Sequence, residues 1–367
     1  MDHYQALADK LDQFPTGAPK TDDLMAILKT LFTEDEARIA SQLPIQPFRE
    51  KLSRLADKIG MPQAKLQPVL ETLCDKGLVF ARDKDNEMAY ALLPLLPGIF
   101  EFQFMKAGYD PKSRALARLF NDYYYDAWGK ASFGFKTSFT RTIPIAQSIS
   151  PSQTVEPFRN VKNIIENSKH MAITNCFCRH EHELLGDSCG KPKEVCMLFG
   201  PFVEHAVARG FARKASKEEM LDKLLLSEQK GLVHITDNVR EKITFICNCC
   251  GCCCGFLCAI NKLNIPSVVA SSGFMVKLNE AECDNCGACA KRCQVKALWL
   301  TDDPAKPKKK LLKKNLDRCI GCGLCVSSCK KNALEMARRP EESIILPRGS
   351  YEELGMELMK ERNERRR

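Results

Sequence analysis

Eight cysteines towards the end of the chain fall into two copies of one spacing, Cys283-x2-Cys286-x2-Cys289-x3-Cys293 and Cys319-x2-Cys322-x2-Cys325-x3-Cys329. Thiolates are soft metal ligands. Three at this close spacing wrap one corner of an iron–sulfur cubane, and the fourth of each run reaches a second cluster. The pattern predicts one [4Fe–4S] cluster on Cys283, Cys286, Cys289 and Cys329, and another on Cys319, Cys322, Cys325 and Cys293. Gly287, Gly321 and Gly323 let the backbone turn close to such clusters. A pair of zinc ribbons, or disulfides in an exported chain, would be the other uses of the same eight thiols.

Eleven further thiols lie between Cys176 and Cys258. Cys176, Cys178, Cys189 and Cys196 suffice for one tetrahedral ion or one cubane, so they are the candidate third metal site, with zinc as the competitor. An expected strand over 171–177 would put Cys176 and Cys178 on one face. His180 and His182 are alternative ligands; with Arg179 they read better as donors to the sulfurs. Cys247, Cys249, Cys250, Cys252, Cys253, Cys254 and Cys258 exceed the needs of one cubane. Neighbouring cysteines point in different directions, so this loop is expected to serve more than one centre, its ligands unassigned singly. Disulfides or an unligated reactive patch are the alternative.

The region 273–336 resembles the dicluster ferredoxins, which implies low-potential one-electron transfer. Gln294 and Lys330 stand where that family has proline, and the lysine-rich insert over 305–314 lengthens the link between the halves. With the Cys-x-Cys-Arg-His segment at 176–180 and Ile-Cys-Asn-Cys-Cys-Gly-Cys-Cys-Cys-Gly at 246–255, the chain resembles a family of large ferredoxin-type iron–sulfur proteins of anaerobic bacteria. The resemblance implies multi-cluster electron transfer and supplies no substrate.

The formal charge of +9 over 367 residues suggests an anionic partner at first sight. Each [4Fe–4S]2+ core with four thiolates carries about −2, so three or four clusters would leave only about +3 or +1. Local basic patches remain at Lys306, Lys308, Lys309, Lys310, Lys313 and Lys314 and at Arg362, Arg365, Arg366 and Arg367. They read as solvated surface, or as docking sites for an acidic redox partner. No segment is long and apolar enough to span a membrane, and MDHYQALADK lacks the apolar core of an export signal. A cytoplasmic protein in a low-oxygen cell is the expectation. No phosphate-binding glycine loop is visible, so no NAD, flavin or ATP site is expected.

The metal-binding segments need elements to hold them. Residues 1–20 read as a loose lead-in. Leu24, Ile27, Leu28 and Leu31 share a helical face, and Thr33 with Glu36 forms a capping box. Helices over 48–59 and 62–76, then strands over 78–80 and 88–93, follow the order of a winged helix. The candidate reading helix offers Gln63, Lys65, Gln67, Glu71 and Asp75. Two acids against one lysine make a poor phosphate binder, which speaks against nucleic acid and for a dimer or partner interface. Cys74 reads as core. Tyr123, Tyr124, Tyr125, Trp128 and Phe133 read as packing against that domain, or as a base-stacking platform. A helix over 216–230 precedes His234, read as a structural histidine.

The expected fold class is α+β. It comprises a winged-helix-like domain (21–105), an aromatic connector (106–157) ending in an extended arm (143–157), a central Cys-rich α/β region (158–272), a dicluster domain (273–340) and a basic helix or tail (341–367). Functionally, this predicts an electron-transfer component rather than a stand-alone enzyme. The alternatives are a reductase with its substrate-binding centre at 247–258, and a redox-sensing winged-helix regulator.

Overall fold

The computed structural model describes residues 2–145, 148, 161–304 and 309–366. Most of the expected arm at 143–157, Lys306, Lys308 and Arg367 lie outside these residues. The chain is a mixture of helix and sheet, as an α+β protein should be.

The lead-in is ordered, contrary to expectation. Asp2 caps a helix at His3–Leu11, which buries Leu7, Ala8 and Leu11. With only those three residues facing inward, the helix leaves little periodic signal in the sequence. Thr33 and Glu36 form the capping box of Glu34–Ala40. The next helix is shorter than 48–59. It starts at Leu52, because Glu50–Lys51 pairs with the strand Met88–Leu92. Glu87, at the start of that strand, accepts the Ser53 N–H at 2.7 Å and so caps the helix from the hairpin. The helix Gln63–Asp75 and the strands Val79–Asp83 and Met88–Leu92 complete this region.

Its outer face is not free. Phe80 stacks on Phe202 at 5.0 Å between ring centres, and Arg209 binds both Glu71 and Asp75. The acidic end of the helix therefore holds the next region, whose sheet runs, edge to edge, Val269–Ala270, Thr140–Ile143, Val233–Asp237, Phe245–Cys249, Glu194–Phe199, Met171–Asn175 and Arg213–Lys214. All pairs are antiparallel except the first.

Two small antiparallel pairs build the cysteine-rich end. Phe274–Leu278 pairs with Leu334–Arg338, and Leu298–Asp302 with Lys310–Lys314. The helix Tyr351–Arg366 then returns to the start of the chain. Arg362 is buried there against Asp12 and the Phe14 carbonyl, and Arg366 also binds Asp12. Arg365 covers the Phe135 ring at 4.6 Å. These three cations are structural here, not a frayed tail.

Candidate metal centres

The upstream thiols sort into two sets, and not as the spacing suggested. Cys189 lies with Cys250, Cys252 and Cys253, all four sulfurs within 4.8 Å of one another. Cys252 and Cys253 are 3.7 Å apart. Bonds of about 2.3 Å in a tetrahedron separate thiolates by about 3.8 Å, so this compact set fits one tetrahedral ion. Cys252 is exposed and Cys189 partly so.

Cys176, Cys178 and Cys196 belong elsewhere. Cys176 contacts Cys178 and Cys196; Cys178 contacts Cys254; Cys254 contacts Cys249; Cys249 contacts Cys247; Cys247 contacts Cys196. The contacts close into a ring of six thiols, five of them buried and Cys247 partly exposed. Local structure explains who joins it. The strand ends at Asn175, where a bulge shifts the register, so Cys176 and Cys178 sit on the first turn of the helix Phe177–Leu184 rather than along a strand. Cys247 and Cys249 alternate on one face of Phe245–Cys249, while Asn248 points the other way to bind His234 at 2.6 Å. Cys254 is the N-cap of Gly255–Asn261. Consecutive cysteines thus diverge: Cys249 and Cys254 face the ring, and their neighbours Cys250 and Cys253 face the compact set. His234 is buried between Asn248 and Glu228, as a structural histidine should be.

Around the ring the thiols alternate between low and high proton affinity. Cys178 and Cys196 hydrogen-bond Cys176 and hold it well below the usual range; Cys196 then Cys249 pull Cys247 down to about 6. Cys178, Cys249 and Cys196 are pushed up by the same contacts and by burial. Arg179 is the cation beside them. Its Nη1 donates to the Asn248 carbonyl at 3.0 Å and to Cys250 Sγ at 3.8 Å, while Nε and Nη2 are buried without a partner. Burial works against its charge, but Cys176, Cys196 and Cys250 outweigh that and raise its pKa. His180 and His182 are not among the ligands of either set; His180 Nε2 meets the Gly108 carbonyl at 2.8 Å.

The ring borders a cavity of about 50 Å³, walled by Phe100, Tyr124, Trp128, Phe133, Phe177 and Phe256. The aromatic connector therefore packs on the thiols as much as on the N-terminal region. Cys258 stands apart, bonded to the Cys252 carbonyl at 3.4 Å and pushed up to about 11 by burial, and Cys74 is a core residue.

At the other end, Cys293, Cys319, Cys322 and Cys325 line one cavity of about 20 Å³. Cys289 lies near Cys283 and Cys329. Cys293 accepts the Ala297 N–H at 3.1 Å, and Cys329 accepts the Ala333 N–H at 3.3 Å, the same i,i+4 bond in both halves. The glycines turn with positive φ as expected, but protein fills the space beside them. A Cβ on Gly321 would meet the Phe274 carbonyl at 2.2 Å, and one on Gly287 would meet Leu300 at 2.5 Å.

Gln294, the departure from proline, joins the two regions. Its side chain accepts the Gly251 N–H at 2.8 Å, and its carbonyl accepts from Asn261 at 2.9 Å. Gly251 lies between Cys250 and Cys252, and Gln294 follows Cys293. No sequence signal announced this contact beyond the departure itself.

Residues 312–335 match the family model described as a 4Fe-4S binding domain, a span that holds Cys319, Cys322, Cys325 and Cys329. No curated protein and no solved structure matches the chain. The match and the thiol clusters support an iron–sulfur protein with a role in electron transfer.

Proposed function

We propose that this chain is a multi-centre relay for single electrons, built as a two-cluster ferredoxin joined to two further metal–thiolate centres. The observation that carries the reading is the Gln294–Gly251 contact, which ties a neighbour of Cys293 to the loop that holds Cys250 and Cys252. [4Fe–4S] clusters, when bound, supply one-electron transfer at low potential. Cys283, Cys286, Cys289 and Cys329 would hold one, and Cys293, Cys319, Cys322 and Cys325 the other. The compact set would hold a single tetrahedral ion.

The cavity beside the ring is far below the roughly 300–1,000 Å³ of pockets for drug-sized organic ligands, which disfavours an organic-substrate reductase. A regulator fits less well too, because Glu71 and Asp75 of the candidate reading helix are engaged by Arg209. The exposed pair Leu298–Asp302 and Lys310–Lys314 offers Trp299 beside Lys313 to a redox partner of acidic surface.

Iron, acid-labile sulfide and zinc on anaerobically purified protein, with EPR of the reduced form, test the proposal. About eight irons should belong to a ferredoxin-type signal. Cys283→Ser should remove one of the two clusters and leave the upstream metal in place. Loss of all metal together, or zinc at the ferredoxin cysteines, would defeat the reading.

A further inference from the structure

Six thiols in one circuit exceed what the familiar centres use. A cubane takes one thiolate at each of four irons, and a tetrahedral ion takes four thiolates in all. We propose that Cys176, Cys178, Cys254, Cys249, Cys247 and Cys196 together anchor one polynuclear iron–sulfide cluster larger than a cubane. The proposal rests on the chain being an iron–sulfur protein, but not on how the ferredoxin cysteines are assigned.

The ring has no spare member. Each thiol touches two others, so none stands outside the circuit in the way that Cys258 does. None is left over from the compact set either, because that set already has four ligands of its own. The two sets also differ in shape. Among the described residues, the compact set is the group whose ligand atoms all close to within 4.8 Å; the ring thiols meet their neighbours but do not contract in this way. An open circuit cannot converge on a single ion.

Charge and space point the same way. Buried charges must be paired or must ligate metal. Arg179 is one cation against six potential thiolates, all of them little exposed or buried. The cavity of about 50 Å³ exceeds the roughly 10–15 Å³ that a single water requires. Besides the six thiols its walls hold Phe100, Trp128 and Phe256, which exclude water, and Glu181, His182, Cys253 and Cys258. Such a space suits an inorganic core bridged by sulfide. The frame is rigid, since the six thiols come from two strands of the central sheet and the first turns of two helices.

The test uses the full chain, made and purified without oxygen, and six single Cys→Ala variants of the ring. Iron, sulfide and zinc are counted, and Mössbauer and EPR spectra are recorded. Each variant should lose the same iron component, more than four irons per chain, with the ferredoxin-type EPR signal unchanged. Two variants that keep the full metal content would overturn the proposal, since an ordinary cubane and two idle thiols would remain. Loss of four irons with cubane spectra, or zinc at the ring, would overturn it as well. Should variants fail to accumulate, the unsubstituted chain decides. Its Mössbauer spectrum should contain iron beyond the cubane component, and a purely cubane spectrum sinks the idea. An absent ferredoxin signal would count against the relay and leave the ring result readable.

Discussion

At the scale of single residues, Arg179 and Gln294 carry the connections. Arg179 is buried, reaches Cys250 at 3.8 Å, and draws its charge stability from Cys176 and Cys196 as well. It therefore faces both upstream centres. A unit charge at such a distance is worth about 3–4 kcal/mol at an effective dielectric near 20, on the order of 100 mV for one electron. Reduction adds negative charge, which the guanidinium favours. Arg179→Met should lower the midpoint potential of an upstream centre by about that order, while the ferredoxin potentials stay put; Arg179→Lys should recover part of the shift. A redox titration followed by EPR reads this, and an unchanged upstream potential would show that the cation is only a packing element. Gln294 gives a separate prediction. A Cβ on Gly251 would lie 2.1 Å from the Gln294 carbonyl. Gly251→Ala must push the loop off the ferredoxin region, so intramolecular electron transfer should slow in flash-reduction kinetics while both ferredoxin signals survive. Equal rates in the two proteins would remove this contact from the relay.

At the scale of elements, spacing carried some information and hid the rest. The duplicated cysteine run, the capping box at Thr33 and the helix at 216–230 all depend on neighbours in sequence, and they were legible. The grouping of Cys189 was not. Cys250, Cys252 and Cys253 are brought to it by the packing of the loop, whereas proximity in sequence to Cys196 suggested a different set. Likewise the alternation of 171–177 fitted a strand, but the bulge after Thr174 and the helix behind it won. The docking of the Val79–Asp83 strand on the helix Phe202–Ala208 was also invisible, and it carries a pH dependence. His205 accepts the Ala81 N–H at 3.3 Å, with the rings of Phe80, Phe102 and Phe202 around it and Arg209 near. Burial, then Arg209, lowers its pKa to about 4. The unfolded chain takes up a proton near 6.5, whereas the folded ring stays neutral until the pH is far lower. This contribution is whole above about pH 6.5 and is lost as the pH falls, by about 2 kcal/mol at pH 5. The denaturation midpoint should therefore drop between pH 7 and about pH 5 by more in the parent than in His205→Phe. An equal drop in both would assign the pH dependence elsewhere.

At the scale of the whole molecule, the C-terminal helix returns to the first helix, and its arginines bind there. Arg362 donates to the Phe14 carbonyl at 2.7 Å and pairs with Asp12, and Asp12 in turn accepts the Ala18 N–H at 2.9 Å. Glu361 caps the other side, accepting the Lys136 and Thr137 N–H groups at 2.6 and 3.0 Å. The C-terminal helix thus clamps the first helix to the segment that leads into the central sheet, whose strand at Thr140–Ile143 begins a few residues later. Ser132 donates to the Thr16 carbonyl in the same seam, at 2.6 Å. Breaking a buried ion pair by deleting one partner leaves an uncompensated charge, at about 3–5 kcal/mol. Arg362→Met should destabilise the chain by less than that, about 1–3 kcal/mol, because two carbonyls lose their donor while Arg366 still pairs with Asp12. Arg366→Met, on an exposed partner of the same aspartate, should cost under about 1 kcal/mol. If the tail were instead a docking site, the ranking would invert: stability would be indifferent to Arg362, and the rate of electron exchange with an acidic carrier would fall with each arginine removed. Denaturant midpoints and low-salt exchange rates of the two variants, measured side by side, separate a clamp from a docking arm. The clamp leaves the Trp299–Lys313 pair exposed among the described residues, where the proposed acidic carrier would meet it.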